Sequence, residues 1–96
     1  MNNYEVMFII EAALEAEKKE AAMEMVKEII STAGGEVGKV NVWGNRKLAY
    51  PIQKKNDGYY AVVEFAGNPE LPKELDRRLK ISDSIIRHII INKDEN

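Results

Sequence analysis

The run Asn3 to Ile10, N-Y-E-V-M-F-I-I, constrains the fold more than any other stretch. Read as a strand, it sets Tyr4, Val6, Phe8 and Ile10 on one face and Glu5, Met7 and Ile9 on the other. Both faces are largely apolar, so the run asks for cover on both sides and reads as a central strand. Helical periodicity follows. From Ala13 to Ala33, Leu14, Ala21, Met25, Ile29 and Ala33 fall near one stripe, with Ala22, Val26 and Ile30 beside it. Lys18, Lys19, Glu20, Glu24 and Lys27 take the other side, and the methionines read as core filler. Gly34-Gly35 ends the helix.

Glu36 to Ile52 reads as a long second strand. Its apolar parity changes between Val37 and Val40, so Gly38 or Gly44 is expected to host a bulge. Pro51 lacks a ladder donor, which argues for an edge strand. Asn56-Asp57-Gly58 predicts the hairpin turn, and Tyr59 to Ala66 returns as the third strand. Beyond Gly67-Asn68-Pro69, a proline suits a first helical turn, and Leu71, Leu75 and Leu79 mark a short helix to about Lys80. Arg77, Arg78 and Lys80 fit its C-terminal end, where the helix dipole favours cations. Ile85 to Asn92 is a fourth strand.

This order, with right-handed crossovers, predicts an α+β, ferredoxin-like β-α-β-β-α-β domain. Its four-stranded antiparallel sheet has order 4-1-3-2 and carries both helices on one face. The chain of 96 residues fits one domain over 1–93, with a short polar tail at 94–96. The other sheet face is open. Glu64 and Arg87, charged in mid-strand, turn Tyr60, Val62, Ile89 and Ile91 outward with Met7 and Ile9. An apolar patch of that size predicts a protein partner.

Charge is segregated along the chain. From Val37 to Asn56 there are five cations (Lys39, Arg46, Lys47, Lys54, Lys55) and no acid, although the whole chain has net charge −2. Such a segment attracts phosphate, with affinity that falls as salt rises. Trp43, Tyr50 and Tyr59 are interleaved with it, and aromatic rings stack on unpaired bases.

Other chemistries fit poorly. The chain has no cysteine, so disulfides and thiolate metal sites are unavailable. His88 is the sole histidine, and neither Ser84 nor Asp83 is spaced to make a triad with it. Glu11 to Leu14 offers neither the glycine-rich loop nor the arginine that an acyl-phosphate hydrolase of this shape would need. The submotif around Gly58 to Phe65 has one residue too many for an RNA-recognition module. No cofactor, metal or small-molecule substrate is expected. The N-terminus is not a secretory signal and no apolar run reaches membrane-spanning length, so the cytoplasm is expected.

The stretch W-G-N-R-K-L-A-Y-P-I-Q-K-K-N-D-G-Y-Y (Trp43 to Tyr60) resembles the central motif of the bacterial small-subunit ribosomal protein six family. The match runs through Trp43, Gly44, Arg46, Lys47, Leu48, Ala49, Tyr50, Ile52, Lys54, Gly58 and Tyr59. Tyr4-Glu5 and Leu75 to His88 (L-D-R-R-L-K-I-S-D-S-I-I-R-H) extend it over nearly the whole chain. Asn45 departs from the family's usual basic residue. The resemblance implies a non-enzymatic component of the small ribosomal subunit. It would bind the central domain of small-subunit ribosomal RNA and form a heterodimer with small-subunit ribosomal protein eighteen. On this reading Arg46 and Lys47 contact phosphate, and Lys54 and Arg87 assist. Tyr4 and Tyr50 pack against sugar, base or partner backbone. Met7, Ile9, Trp43, Tyr60, Val62, Ile89 and Ile91 meet the protein partner. The rivals are a regulatory domain that pairs with itself through the open sheet, and a free single-strand RNA module.

Overall fold

A computed structural model describes residues 1–52 and 55–94, with side chains placed for 1–48 and 56–94. Its elements are β1 (Asn2–Glu11), α1 (Ala16–Thr32), β2 (Glu36–Ile52), β3 (Lys55–Gly67), α2 (Leu71–Lys80) and β4 (Ile85–Asn92). The antiparallel sheet has order β2-β3-β1-β4, the expected arrangement counted from the other edge. The doubly apolar run is central, and the strand with Pro51 lies at an edge.

One face of β1 and β3 builds the core. Tyr4, Val6, Phe8 and Ile10 pack with Ala61, Val63 and Phe65 against Val26, Ile29 and Ile30 of α1 and Leu71, Leu75 and Leu79 of α2. Full burial of one such aliphatic side chain contributes about 1.5–3 kcal/mol. Pro72 lies in the first turn of α2, and Arg77, Arg78 and Lys80 lie in its last.

Two local expectations need correction. The first helix starts at Ala16, not Ala13, because the Leu14 amide donates to the Glu11 carbonyl (3.3 Å) in a turn that redirects the chain. Its buried residues are Ala22, Met23, Val26, Ile29 and Ile30, while Ala21 is exposed. Branched side chains hide more apolar area than alanine, so they set the helix rotation. Leu14, Met25 and Ala33 are left at the border of the core.

The second correction concerns the hairpin. Lys47 pairs with Asp57 and Ile52 with Lys55, so the ladder continues through Asn56 and Asp57 to Lys55. Asn56-Asp57-Gly58 is therefore strand. Among the described residues, the glycines with positive φ are Gly34 and Gly44, and Gly58 is not one of them. Gly58 is a glycine for lack of room: a Cβ there would collide with Ile9 Cγ2 and lie 3.3 Å from Leu48 Cδ2.

Candidate functional site

The open face is built of cross-strand rows, each fixed by register. One runs Asn41, Val62, Met7, Ile89; the next runs Gly44, Tyr60, Ile9, Arg87; a third runs Arg46, Gly58, Glu11. Because β1 and β3 are inner strands, their side chains here stand between neighbours on both sides. Val62 and Ile9 are only 5% and 6% exposed, so they floor the face and are not the exposed contacts their sequence positions suggest. Ile89 and Ile91, on edge strand β4, are 42% and 47% exposed. Met7 and Tyr60 are half-buried.

At the β2 side a bulge between Val42 and Gly44 inserts Trp43 into the strand. Gly44 takes φ +81°, and no atom lies within 4 Å of where its Cβ would be, so backbone conformation alone demands glycine. The bulge lays the indole along Tyr60, ring centroids 6.2 Å apart and planes 10° apart. Trp43 remains 49% exposed. Arg46 and Lys47 are both exposed, but strand alternation sends them to opposite faces. Arg46 shares the open face with Gly58, and Lys47 pairs with Asp57 on the helix side. Arg46 and Lys47 line one shallow pocket with Ala12, Ala13, Asn45 and Asp57. Arg87 is exposed on the open face beside Ile9. The side chain of Tyr50 and the whole of Lys54 lie outside the described residues.

Two rings expected at RNA are engaged elsewhere. Tyr4 is 5% exposed, its ring stacked on Phe65 at 5.5 Å and its hydroxyl taking a hydrogen bond from Asn2 Nδ2 at 3.2 Å. Its position on the core face of β1 closes that ring to a base. Tyr59 packs against the core from the helix side, with Lys19 Nζ 4.9 Å from its ring centre. Parity alone separates Tyr59 from Tyr60, and it assigns only Tyr60 to the open face.

Electrostatics at the far end of the face escaped the sequence reading. Glu5 and Glu64 are directly opposed on β1 and β3, a like-charge pair. Lys93 bonds Glu64 and also acts on Glu5 through space. The Lys93 hydrogen bond holds the Glu64 carboxyl below its ordinary range. Asp94 accepts hydrogen bonds from the Asn3 backbone (2.7 Å) and side-chain amide (3.2 Å), which pull its pKa down. His88 lies on the helix side, where its Nε2–H donates to Asp76 Oδ1 at 2.7 Å. That bond, with a second from Lys80, keeps Asp76 below the usual carboxylate range. Among the described residues, no three His, Cys, Asp or Glu groups gather to hold a metal, and no helix is long and apolar enough to cross a membrane.

The sheet face carries an aliphatic margin on β4 and paired rings with a cation on β2, which together make a surface suited to docking. The model of ribosomal protein S6 matches residues 3–92. The small ribosomal subunit protein bS6 of Clostridium acetobutylicum is 51% identical over 92 residues, 96% of this chain and 97% of that protein. The bS6 of Clostridium novyi is 46% identical over 95 residues, 99% of this chain and all of that one. The crystal structure of 30S ribosomal protein S6 from Thermotoga maritima superposes with TM-score 0.91 at 35% identity, covering 96% of this chain and 87% of that one. The chain belongs to the ribosomal protein S6 family, a structural and non-enzymatic component of the small ribosomal subunit in the cytoplasm.

Proposed function

We propose that this chain binds the central domain of small-subunit ribosomal RNA together with small-subunit ribosomal protein eighteen, as a heterodimer. The observation that carries the reading is the division of the open face. Ile89, Ile91 and Met7 offer an apolar margin over the floor made by Ile9 and Val62, suited to a protein partner. Tyr60 and Trp43 border it, and Arg46 stands beyond them, suited to phosphate. Arg87, Lys47 and Lys54 are further candidate phosphate contacts. The acidic balance of the whole chain implies weak RNA binding alone and stronger binding once the partner has docked.

The test is assembly on a central-domain RNA fragment with and without the partner, over a salt series. Arg46→Ala and Lys47→Ala are each expected to weaken assembly and to lower the salt slope by about one unit per lost phosphate contact. Unchanged slopes for both variants would defeat the phosphate assignment. Ile89→Asp is expected to weaken partner docking while the isolated fold survives, since Ile89 is exposed.

A further inference from the structure

We infer that the indole of Trp43, with Asn41, Tyr60 and Arg46 around it, is a site for one unpaired ribonucleotide. The base lies on the exposed ring and the phosphate on the guanidinium. This rests on the RNA-binding reading above and moves Trp43 from the protein partner to RNA.

The shape of the face and its charge carry it. The bulge at Gly44 turns Trp43 onto the open face, and the residue stays half exposed while Tyr60 holds the ring nearly parallel to its own. Offset, near-parallel rings make a platform for stacking rather than a closed core contact. Arg46 follows Gly44 by two residues on the same face, about 7 Å further along an extended strand. Among the described residues, Arg46 has neither a hydrogen bond nor an ion pair, so its guanidinium is uncommitted.

Asn41, on the same face one row away, has an amide that can meet a base edge. The charge pattern agrees. Glu5 and Glu64 stand at the opposite end of the face, where Lys93 bonds Glu64. Glu11 bounds the site on the β1 side, across Gly58 from Arg46, which places the phosphate toward β2.

Trp43 is the sole tryptophan, so its emission reports the site directly. The full chain is titrated at low salt with an adenylate hexamer and with an abasic hexamer of equal charge. End-labelled oligomers give affinity by anisotropy. Saturable quenching by the adenylate hexamer and none by the abasic one is expected. Trp43→Leu should weaken adenylate binding about tenfold or more, the loss of one base stack, and leave abasic binding unchanged. Trp43→Phe should recover most of the loss. Arg46→Ala should weaken both oligomers and lower the salt slope by about one unit.

The inference is overturned by steady emission under saturating adenylate, by Trp43→Leu binding as well as the parent, or by no binding of either oligomer. Quenching only on addition of the protein partner also overturns it and returns Trp43 to the protein interface. If the stacking site fails but Arg46→Ala still weakens assembly on ribosomal RNA, the wider reading stands. If Arg46→Ala and Lys47→Ala both leave assembly unchanged, the wider reading falls as well.

Discussion

Replacing Gly58 with alanine tests the packing of the sheet beneath the docking face. A Cβ at this position would overlap Ile9 Cγ2 and lie 3.3 Å from Leu48 Cδ2 and 3.6 Å from Tyr60 Cε1. Escape is blocked on both sides, because residue 58 is laddered to Glu11 on β1 and to Arg46 on β2. Nor can Ile9 yield easily: Cγ2 is bonded to its Cβ, and the side chain is 6% exposed. Overpacking of this kind costs about 1–3 kcal/mol. Against it, alanine restricts the unfolded chain and returns about 0.4–1 kcal/mol. The expected net loss is about 1–2 kcal/mol, roughly 5–15 °C in Tm for a domain of this size. Urea denaturation followed by far-ultraviolet circular dichroism measures it. The decisive control is the double variant with Ile9→Ala, which removes the obstructing methyl. Its destabilisation should fall short of the sum of the single changes by about 1 kcal/mol. A Gly58→Ala protein as stable as the parent, or strict additivity with Ile9→Ala, would refute the close-approach account.

Gly44→Ala meets no atom, so its cost is the left-handed conformation alone, about 1–2 kcal/mol in the same denaturation assay, with a change in Trp43 emission as the bulge relaxes. Leu75→Ala, at a fully buried position of α2, should cost about 2–5 kcal/mol by urea denaturation. Asp76 is held below its ordinary 3.8 by the His88 and Lys80 hydrogen bonds, so its contribution is complete above the carboxylate range and is lost as pH falls through the lowered value. Asp76→Asn should therefore lower stability at neutral pH and flatten its decline below about pH 4, read from denaturation midpoints across a pH series. Lys93→Met leaves Glu5 facing Glu64 without the cation that bonds Glu64 and acts on Glu5, so the variant should gain stability relative to the parent as pH is lowered into the carboxylate range.

The elements and their order were legible because apolar periodicity is strong wherever the core is. Val6, Phe8 and Ile10, or Leu71, Leu75 and Leu79, admit one rotation each, and the structure buries them all. What stayed hidden depends on neighbours distant in sequence. Asn56-Asp57-Gly58 has turn chemistry, yet Gly58 answers to Ile9, far away in the chain. Ile9 and Val62 read as exposed because alternation gives the face and not the height of the flanking side chains. Tyr4 was ambiguous for the same reason: its phenol suits either an interface or a core margin, and only the approach of Phe65 decides. Lys93 had no visible role until register set Glu5 opposite Glu64.

The same argument reshapes the basic segment. In sequence, Arg46 and Lys47 are one cluster; in the sheet they are two surfaces, since adjacent strand residues diverge. A ligand lying flat on the open face reaches Arg46 with Trp43 and Tyr60, and it misses Lys47. Lys47 faces the helix side, and it meets Arg46 only at the pocket that both line with Asn45, Asp57, Ala12 and Ala13. One ligand touches both only where it enters that pocket. The two substitutions should then separate: Arg46→Ala affected by a competitor for the open face, Lys47→Ala indifferent to it. The bulge that puts Arg46 rather than Lys47 on the open face is a single inserted residue made possible by a single glycine, so that arrangement rests on Gly44 as much as on any charge.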